Sequence, residues 1–268
     1  MASYLITGAG RGLGLAFMRQ ALARDPAATV VGLVRDKVKA EIIIAAEPEL
    51  KNVKLVQGDL SDYASLVKAV EEVSNITGGR LDYLIENAGA MYELKGLTTM
   101  DKLADRPEFL EERLLYGFKL NVIGNIHLFH LCLPLIRRSS IKKVLAISTG
   151  MASLEYLTKY DSGVSGLHSI TKGALNVAIA KLSAQHRHEG ILFLSVSPGV
   201  VATLDYSSFT EEELQGMAGL VKSVLAFKPD FKGPLSPGKA TSDVLAVLEK
   251  ASFEAGDSGS FLPRWDAN

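Results

Sequence analysis

The chain has 268 residues, of which 47% are hydrophobic, and its formal net charge is -1 at pH 7. A chain of this length and composition can bury one large core, and α/β folds of this size are commonly single domains. The small net charge, without any block of like charges, argues against nucleic acid or an anionic membrane surface as a partner.

Cys132 is the only cysteine, which excludes an internal disulfide and is typical of a reducing compartment. No apolar stretch is long enough to cross a bilayer without polar interruption. The N-terminus also lacks a basic region followed by an apolar one. We therefore expect a cytoplasmic protein without a membrane partner.

Short apolar or β-branched segments alternate with longer helical patterns along the chain. The predicted strands are 3–7, 29–34, 53–57, 81–85, 143–147, 191–196 and 259–262. The predicted helices are 13–24, 38–46, 63–76, 109–138, 168–187, 211–225 and 238–250. Uniformly apolar strands imply burial on both faces, and their alternation with helices predicts right-handed crossovers into a parallel sheet. The sequence predicts one α/β domain over residues 1–268, a doubly wound Rossmann-type fold with a seven-stranded parallel sheet.

The segment 204–237 belongs to none of these units. It follows the sixth strand, on the side of the sheet where ligands bind in such folds. We expect a lid or substrate loop, and a surface excursion without function is the alternative.

A glycine-rich turn joins the first strand to the first helix. It reads Thr-Gly-Ala-Gly-Arg-Gly-Leu-Gly from Thr7 to Gly14. Gly8 permits a tight turn, Gly12 lets the backbone approach a pyrophosphate, and Gly14 allows close contact between helix and strand. Because a strand precedes the turn and a helix follows it, the pattern predicts a dinucleotide site rather than a structural turn.

The end of the second strand indicates which dinucleotide is bound. Arg35 follows that strand directly, and Arg11 lies in the glycine turn, so two guanidinium groups can meet the 2′-phosphate of NADP(H). Asp36 is the competing residue. If the second strand ended one residue later, the Asp36 carboxylate would meet a ribose hydroxyl instead. We expect NADP(H).

The histidines do not predict a metal. His127 and His130 lie three residues apart on one predicted helix, and His186 and His188 lie near the end of the next, without a carboxylate or thiol cluster. We therefore expect no metal site.

Several motifs, in order along nearly the whole chain, resemble the short-chain dehydrogenase/reductase family, including its C-factor-like and fungal carbonyl-reductase members. They are the turn from Thr7 to Gly14, Asp59 in Gly-Asp-Leu, Asn87 in Asn-Ala-Gly, Asn121 in a long helix, and the segment Pro198 to Thr203. Structural roles are the alternatives for three of them: a helix cap for Asp59, backbone bonding for Asn87 and a core hydrogen bond for Asn121.

The resemblance implies an enzyme of nicotinamide chemistry on the same fold. The cofactor residues that the turn and the matching motifs indicate are Thr7, Gly8, Gly10, Arg11, Gly12, Leu13, Gly14, Arg35, Asp59, Leu60, Asn87, Ala88, Gly89, Lys172, Pro198, Gly199, Val201 and Thr203. Relatives associate through the long helix and the helix that carries Lys172, which implies a homodimer or homotetramer.

The chain departs from the family where its catalytic tyrosine is expected. The family reads Tyr-x-x-Ser-Lys, whereas this chain has His168 four residues before Lys172. An imidazole can donate a hydrogen bond and, when protonated, is a stronger acid than phenol, with ordinary pKa values of about 6.5 and about 10. It is also shorter than phenol, and Lys172 disfavours a second positive charge nearby. His168 is thus a candidate proton donor, or it only fills the place of the tyrosine.

The remaining catalytic residues are assigned by the same resemblance. Thr149 takes the place of the catalytic serine, with Ser148 as the alternative in another alignment, and Asn121 supports the proton relay. Tyr156 and Tyr160, in a segment longer than is common in the family, are further candidate acids, although surface-loop tyrosines are the simpler interpretation.

Three functions are consistent with this pattern. The leading one is an NADPH-dependent oxidoreductase that reduces a ketone or enone of an apolar, aromatic or polycyclic small molecule of secondary-metabolite type. The others are a repurposed isomerase, dehydratase or cyclase that retains NADP(H), and a binding protein that responds to NADP(H). Nine apolar residues in loops are expected to surround the cleft, namely Met91, Tyr92, Leu154, Tyr156, Leu157, Tyr206, Phe209, Met217 and Leu220.

Overall fold

The computed structural model of the protein describes residues 1–89, 97–203 and 206–263. Its strands are β1 (Ser3–Thr7), β2 (Thr29–Val34), β3 (Lys54–Gln57), β4 (Tyr83–Glu86), β5 (Lys143–Ile147), β6 (Leu192–Ser197) and β7 (Ser260–Pro263). All seven pair in parallel, in the order β3-β2-β1-β4-β5-β6-β7. The predicted doubly wound, seven-stranded parallel sheet is confirmed. The strand order reverses between β1 and β4, which is where such sheets bind ligands.

Ten α-helices connect and cover the strands in the described part of the chain. They are α1 (Gly12–Arg24), α2 (Lys37–Ala45), α3 (Tyr63–Thr77), α4 (Met100–Ala104), α5 (Pro107–Phe118), α6 (Gly124–Arg137), α7 (Leu154–Lys159), α8 (Gly166–His186), α9 (Glu211–Phe227) and α10 (Pro237–Lys250). Helices α1 and α10 cover one face of the sheet, and α3, α6 and α8 cover the other. The sheet thus separates two apolar layers, as uniformly apolar strands require.

Strand boundaries agree with the prediction to within two residues. The largest difference is at β4, which begins at Tyr83 instead of Leu81. Before it, the Asp82 carboxylate accepts hydrogen bonds from the backbone N–H and the hydroxyl of Ser3, at 2.7 and 2.8 Å. Asp82 therefore anchors the start of the sheet through its side chain.

The long helix predicted over 109–138 is interrupted. A wide π-helical turn, Lys119–Ile123, separates α5 from α6 within one helical run. By length and composition alone, the run Pro107–Arg137 could cross a membrane, which the sequence was not expected to allow. However, 56% of its most apolar 18 residues are buried inside the protein, as in the core helix of a soluble protein. The π-turn carries Asn121 toward α8, and such turns occur often at functional sites.

Two short helices, α4 and α7, were not predicted. Helix α7 begins after Ser153, whose hydroxyl accepts a hydrogen bond from the N–H of Tyr156 at 3.3 Å. A helix of six residues is too short to show periodicity, so only its cap was visible in the sequence.

Candidate active site

The ends of β1 and β4 are held together where the strand order reverses. The Thr7 hydroxyl accepts hydrogen bonds from the N–H groups of Asn87 and Ala88, at 3.0 and 2.8 Å. The Asn87 side-chain amide donates to the Thr7 carbonyl at 2.8 Å. Asn87 therefore has the backbone-bonding role that was its structural alternative, and this role fixes the turn that follows β1.

The glycine turn has the shape that a pyrophosphate requires. Gly8 and Gly12 have φ values of 66° and 56°, which side chains rarely adopt. A Cβ at Gly14 would overlap the carbonyl oxygen of Gly8, so helix and strand approach more closely than any other residue allows. Helix α1 begins after Arg11 without a side-chain cap or an acidic residue in its first turn, which leaves its N–H groups for an anion. These residues fit a dinucleotide.

Charged residues follow the ends of β2 and β3. Strand β2 ends at Val34, and Arg35, like Arg11, is exposed. The Asp36 carboxylate accepts from the N–H of Lys39 at 3.0 Å and thereby caps α2. At the end of β3, Asp59 accepts from the N–H and hydroxyl of Ser61, at 2.8 and 2.7 Å. The helix-cap alternative for Asp59 was wrong, because Asp62 caps α3 by accepting from the N–H groups of Ala64 and Ser65.

Lys172 lies under the carboxyl ends of the central strands. It is 4% exposed, and its Nζ donates to the carbonyl oxygen of Ile147 at 2.7 Å. Burial lowers the pKa of Lys172 to about 8, and the neighbouring Glu86 partly opposes this shift.

Asn121 is connected to the helical turn that carries His168. Its Nδ2 donates to the Thr171 hydroxyl at 3.0 Å, and that hydroxyl donates to the His168 carbonyl oxygen at 3.1 Å. Asn121 is fully buried. The core hydrogen bond that was the alternative for Asn121 is therefore present, and it also couples the π-turn to α8.

Two hydroxyl groups follow β5. The Thr149 side chain accepts from the N–H of Met151 at 3.3 Å. Ser148 is 4% exposed, and its buried Oγ has no hydrogen-bond partner among the described residues. Both residues line the same cavity, so the geometry leaves the two alignments open.

Five of the six predicted catalytic residues line one cavity of about 600 Å³, and Asn121 does not. His168, Lys172, Thr149 and Ser148 line it, together with Tyr160. Besides Lys172, the cavity reaches seven of the predicted cofactor residues, namely Leu13, Asn87, Gly89, Pro198, Gly199, Val201 and Thr203. A reacting molecule and a nicotinamide could therefore meet beside His168.

An aromatic cluster forms part of the cavity wall. The rings of Tyr156, Tyr160 and Phe227 have centroids 5.3 to 5.5 Å apart, at tilted or edge-to-face angles. The Tyr156 hydroxyl lies 3.2 Å from the Ser223 hydroxyl and thus joins α7 to α9. Tyr156 and Tyr160 are half-buried in this wall, so their interpretation as surface-loop tyrosines was wrong.

The apolar residues expected around the cleft are only partly there. Tyr156, Met217 and Leu220 line the cavity, whereas Leu157 and Phe209 do not. Leu154 does not line the cavity either and is 79% exposed, because it lies on the opposite side of α7 from Tyr156. Met91, Tyr92 and the side chain of Tyr206 lie outside the described residues.

Several cavity residues were missed in the sequence. On α9, Val224 and Phe227 continue the face of Met217 and Leu220 at helical spacing, so periodicity could have found them. Lys228 and Phe231 follow that helix. Glu86, at the end of β4, was missed as well, although it does not line the cavity. It is 1% exposed, and burial raises its pKa to about 8. No motif marked Glu86, because it lies within an apolar strand.

The remaining sequence expectations concern metal ligands and the single cysteine. In the described ranges, no group of three His, Cys, Asp or Glu residues could hold a metal ion. Cys132 is fully buried, and burial raises the pKa of its thiol. It therefore packs in the apolar core.

Comparison with known proteins identifies the family. The short chain dehydrogenase family matches residues 3–213. A short chain dehydrogenase, virK, of Hypocrea virens is 46% identical over 98% of this chain and 97% of its own length. A short-chain dehydrogenase/reductase, iacC, of Pestalotiopsis fici is 40% identical over 98% of this chain and 97% of its own. The NADPH-bound carbonyl reductase from chicken fatty liver has the same fold, with a TM-score of 0.73 and 23% identity over 99% of this chain and 97% of that one.

The chain therefore belongs to the short-chain dehydrogenase/reductase family. It is an oxidoreductase of that type, from a family that binds a nicotinamide cofactor and acts on small molecules.

Proposed function

We propose that this protein is an NADPH-dependent carbonyl reductase that reduces a ketone or enone of an apolar, aromatic or polycyclic molecule of secondary-metabolite type. The observation that carries the proposal is that His168, Lys172 and Thr149 line the same cavity as the predicted nicotinamide segment and an aromatic cluster. Hydrogen-bonding groups and apolar rings on one cavity wall suit a carbonyl attached to an aromatic body.

The preference for NADP(H) is supported by charge. Arg11 and Arg35 are exposed near the glycine turn, and two guanidinium groups can bind a phosphate with paired hydrogen bonds. Asp36, the residue that would favour NAD, has its carboxylate directed to the start of α2. The charged groups at this edge of the site therefore favour a 2′-phosphate over a free ribose hydroxyl.

The bound cofactor would supply the hydride. Thr149 and His168 would donate hydrogen bonds to the substrate oxygen, and His168 would deliver the proton as charge develops there. Lys172 would hold the ribose with its buried amine. Asn121, fixed through Thr171 to the turn of His168, would support the path by which the proton is replaced.

The segment 204–237 is proposed as the lid of this site. Met217, Leu220, Val224 and Phe227 present one face of α9 to the cavity. The Tyr156 to Ser223 hydrogen bond would hold that helix against α7. Closing such a segment over the substrate excludes water from the hydride transfer.

A homodimer or homotetramer in the cytoplasm is proposed as the working form. Large apolar side chains are exposed on α5, α6 and α8 and on the turn between α5 and α6, including Leu115 and Val177 at 61% each and Ile123 at 46%. Burying a group of this kind against a second copy would stabilise an association.

His168 keeps a second function open. Since the usual tyrosine is absent, the same cavity could perform isomerisation, dehydration or cyclisation, with the cofactor retained for structure. A protein that only binds NADP(H) would not need both Asn121 and Lys172 in place, so catalysis is the better supported class.

The test is NADPH consumption with quinones, aryl ketones and enones, with His168→Tyr assayed in parallel. Turnover by the unmodified protein, with deuterium transferred stereospecifically from labelled NADPH into the product, is the expected result. Activity in the His168→Tyr variant alone would instead mean a competent hydride site without a proton donor. The search would then move to reactions without net redox change.

A further inference from the structure

Lys228 adds a positive charge to the wall of the cavity. It follows α9, is half-buried and lines the cavity. Its backbone is held on both sides, since its N–H donates to the Val224 carbonyl at 2.7 Å and its own carbonyl accepts from the N–H of Phe231 at 3.0 Å. Phe227 and Phe231, before and after it in the chain, line the same cavity. The proposed reduction gives this cation no task.

The Lys228 ammonium group does not hold the fold together. Within the described part of the chain, its side chain forms neither an ion pair nor a hydrogen bond. Lys143, which is also half-buried, shows the structural alternative, because its Nζ donates to the carbonyl oxygens of Leu248, Glu249 and Ala251 at the end of α10, at 2.7, 3.1 and 3.0 Å. A cation near the end of a helix is favourable by itself, but Lys228 makes no such bonds to α9. Its three N–H donors are therefore open to a bound molecule.

The other ionisable groups of the cavity do not replace Lys228. Besides the two tyrosines, they are Glu155, His168 and Lys172 among the described residues. Lys172 donates to the Ile147 carbonyl and has its proposed place at the ribose, and His168 has its proposed place at the reacting oxygen. Glu155 is exposed, so solvent and salt screen its carboxylate more than they screen the half-buried lysine. Of the described residues, this leaves Lys228 to bind an acidic group elsewhere on the substrate.

We propose that Lys228 binds a carboxylate of the substrate, so that the molecule reduced in this cavity is an aromatic ketone or enone that also carries a carboxylic acid. This inference rests on the proposed carbonyl reductase and narrows its substrate class. A carboxylate fits better than a phenol, because a phenol, with an ordinary pKa of about 10, is uncharged in neutral solution. The carboxylate would accept charge-assisted hydrogen bonds from the ammonium group, and Phe227 and Phe231 would pack against the apolar body.

The direct test compares acids with their own methyl esters, which keep the aromatic body and lack the charge. The probes are 4-benzoylbenzoic acid and anthraquinone-2-carboxylic acid, each with its ester. Calorimetry in the presence of NADP⁺ measures binding to the parent protein without reduction. Each acid is expected to bind roughly 10- to 100-fold more tightly than its ester, with a difference that shrinks as salt is added. If the esters bind as tightly as the acids, or if neither acid binds, the proposal is overturned.

The variant test uses Lys228→Met, which keeps most of the side-chain length and removes its charge. The ratio of acid to ester affinity is expected to fall roughly 10- to 100-fold, and Lys228→Arg should keep the preference for the acid. Lys222→Met removes an exposed cation of α9 that does not line the cavity, so it is the matched control and should leave the ratio unchanged. An unchanged ratio in folded Lys228→Met would contradict the proposal. So would an equal loss of NADPH affinity, because the lysine would then belong to the cofactor.

The comparison of acid and ester on the parent protein decides the matter even if Lys228→Met does not fold. It also separates this inference from the proposed function, because binding is measured without turnover. A preference for acids that depends on Lys228, in a protein that does not oxidise NADPH, would count against the carbonyl reductase and not against the acid site. Equal binding and equal turnover of acids and esters would have the opposite meaning.

Discussion

Lys172 of α8 donates a hydrogen bond from its Nζ to the carbonyl oxygen of Ile147, the last residue of β5, at 2.7 Å. The amine is thus held at the carboxyl end of the sheet, at the floor of the cavity. An ammonium group can donate three hydrogen bonds, so this one leaves two for a ribose.

Replacing this lysine should weaken cofactor binding. Lys172→Met removes the charge and keeps most of the volume, and we expect the Kd for NADPH to rise roughly 10- to 100-fold. Fluorescence titration with NADPH measures the change. Lys181→Met, on an exposed site of the same helix, is the matched control and should bind as the parent does. Equal affinity of Lys172→Met and the parent would exclude a contact with the cofactor.

The two arginines near the glycine turn should decide between NADPH and NADH. Arg35→Ala is expected to raise the Kd for NADPH about 10-fold or more while hardly changing that for NADH, because only NADPH carries the 2′-phosphate. Lys39→Ala, an exposed cation on α2, controls for general loss of positive charge. If Arg35→Ala weakens both dinucleotides equally, or neither, the assignment of Arg35 to the phosphate fails.

The glycine turn allows a paired test of steric fit. At Gly14 a Cβ would overlap the Gly8 carbonyl oxygen, a backbone atom that cannot easily retreat. At Gly10 the nearest heavy atom would be the Ala40 Cβ, at an ordinary 3.5 Å. We therefore expect Gly14→Ala to lower the free energy of unfolding by about 1–3 kcal/mol and Gly10→Ala to change it little. Urea unfolding of both variants decides the matter, and equal losses would speak against the close approach.

The contact between α7 and α9 can be measured by a double-mutant cycle. The Ser223 hydroxyl donates to the Leu220 carbonyl at 2.9 Å, so Tyr156 must be the donor toward Ser223. Burial raises the pKa of Tyr156, which keeps this donor protonated. Tyr156→Phe, Ser223→Ala and the double variant should give a coupling free energy of about 0.5–1.5 kcal/mol. Purely additive effects would mean that the hydrogen bond does not hold the two helices together.

The stability of the protein should depend on pH through Glu86. Its folded pKa, about 8, lies above the ordinary value of 4.5 that the unfolded chain retains. Between these values the folded state binds the extra proton, so this group's contribution to stability is complete below about 4.5 and is lost as pH rises through 8. Relative to Glu86→Gln, the parent should therefore lose stability between pH 5 and 8, and the reverse slope would refute the buried carboxyl.

Much of the fold could be predicted from the sequence because the patterns that indicate it are local. Apolar segments of five or six residues and a glycine turn between strand and helix depend on neighbours in the chain, so β1, β2 and β5 begin and end where predicted. The order of the motifs led to the family in the same way. The short helix α7 and the π-turn at Asn121 were missed, because their geometry depends on what packs against them.

The sequence by itself determined the doubly wound class and the glycine turn, and it led to the prediction that His168 stands at the tyrosine position. Tertiary structure decided which distant residues meet. It brings Tyr156, Tyr160 and Phe227 into one wall, although 71 residues of sequence separate the first from the last. It also places Glu86, which looks like a strand residue in the sequence, in the apolar layer that contains the helix of Lys172. Such contacts form between elements whose separation along the chain carries no periodic signal, so only the packing of sheet and helices reveals them.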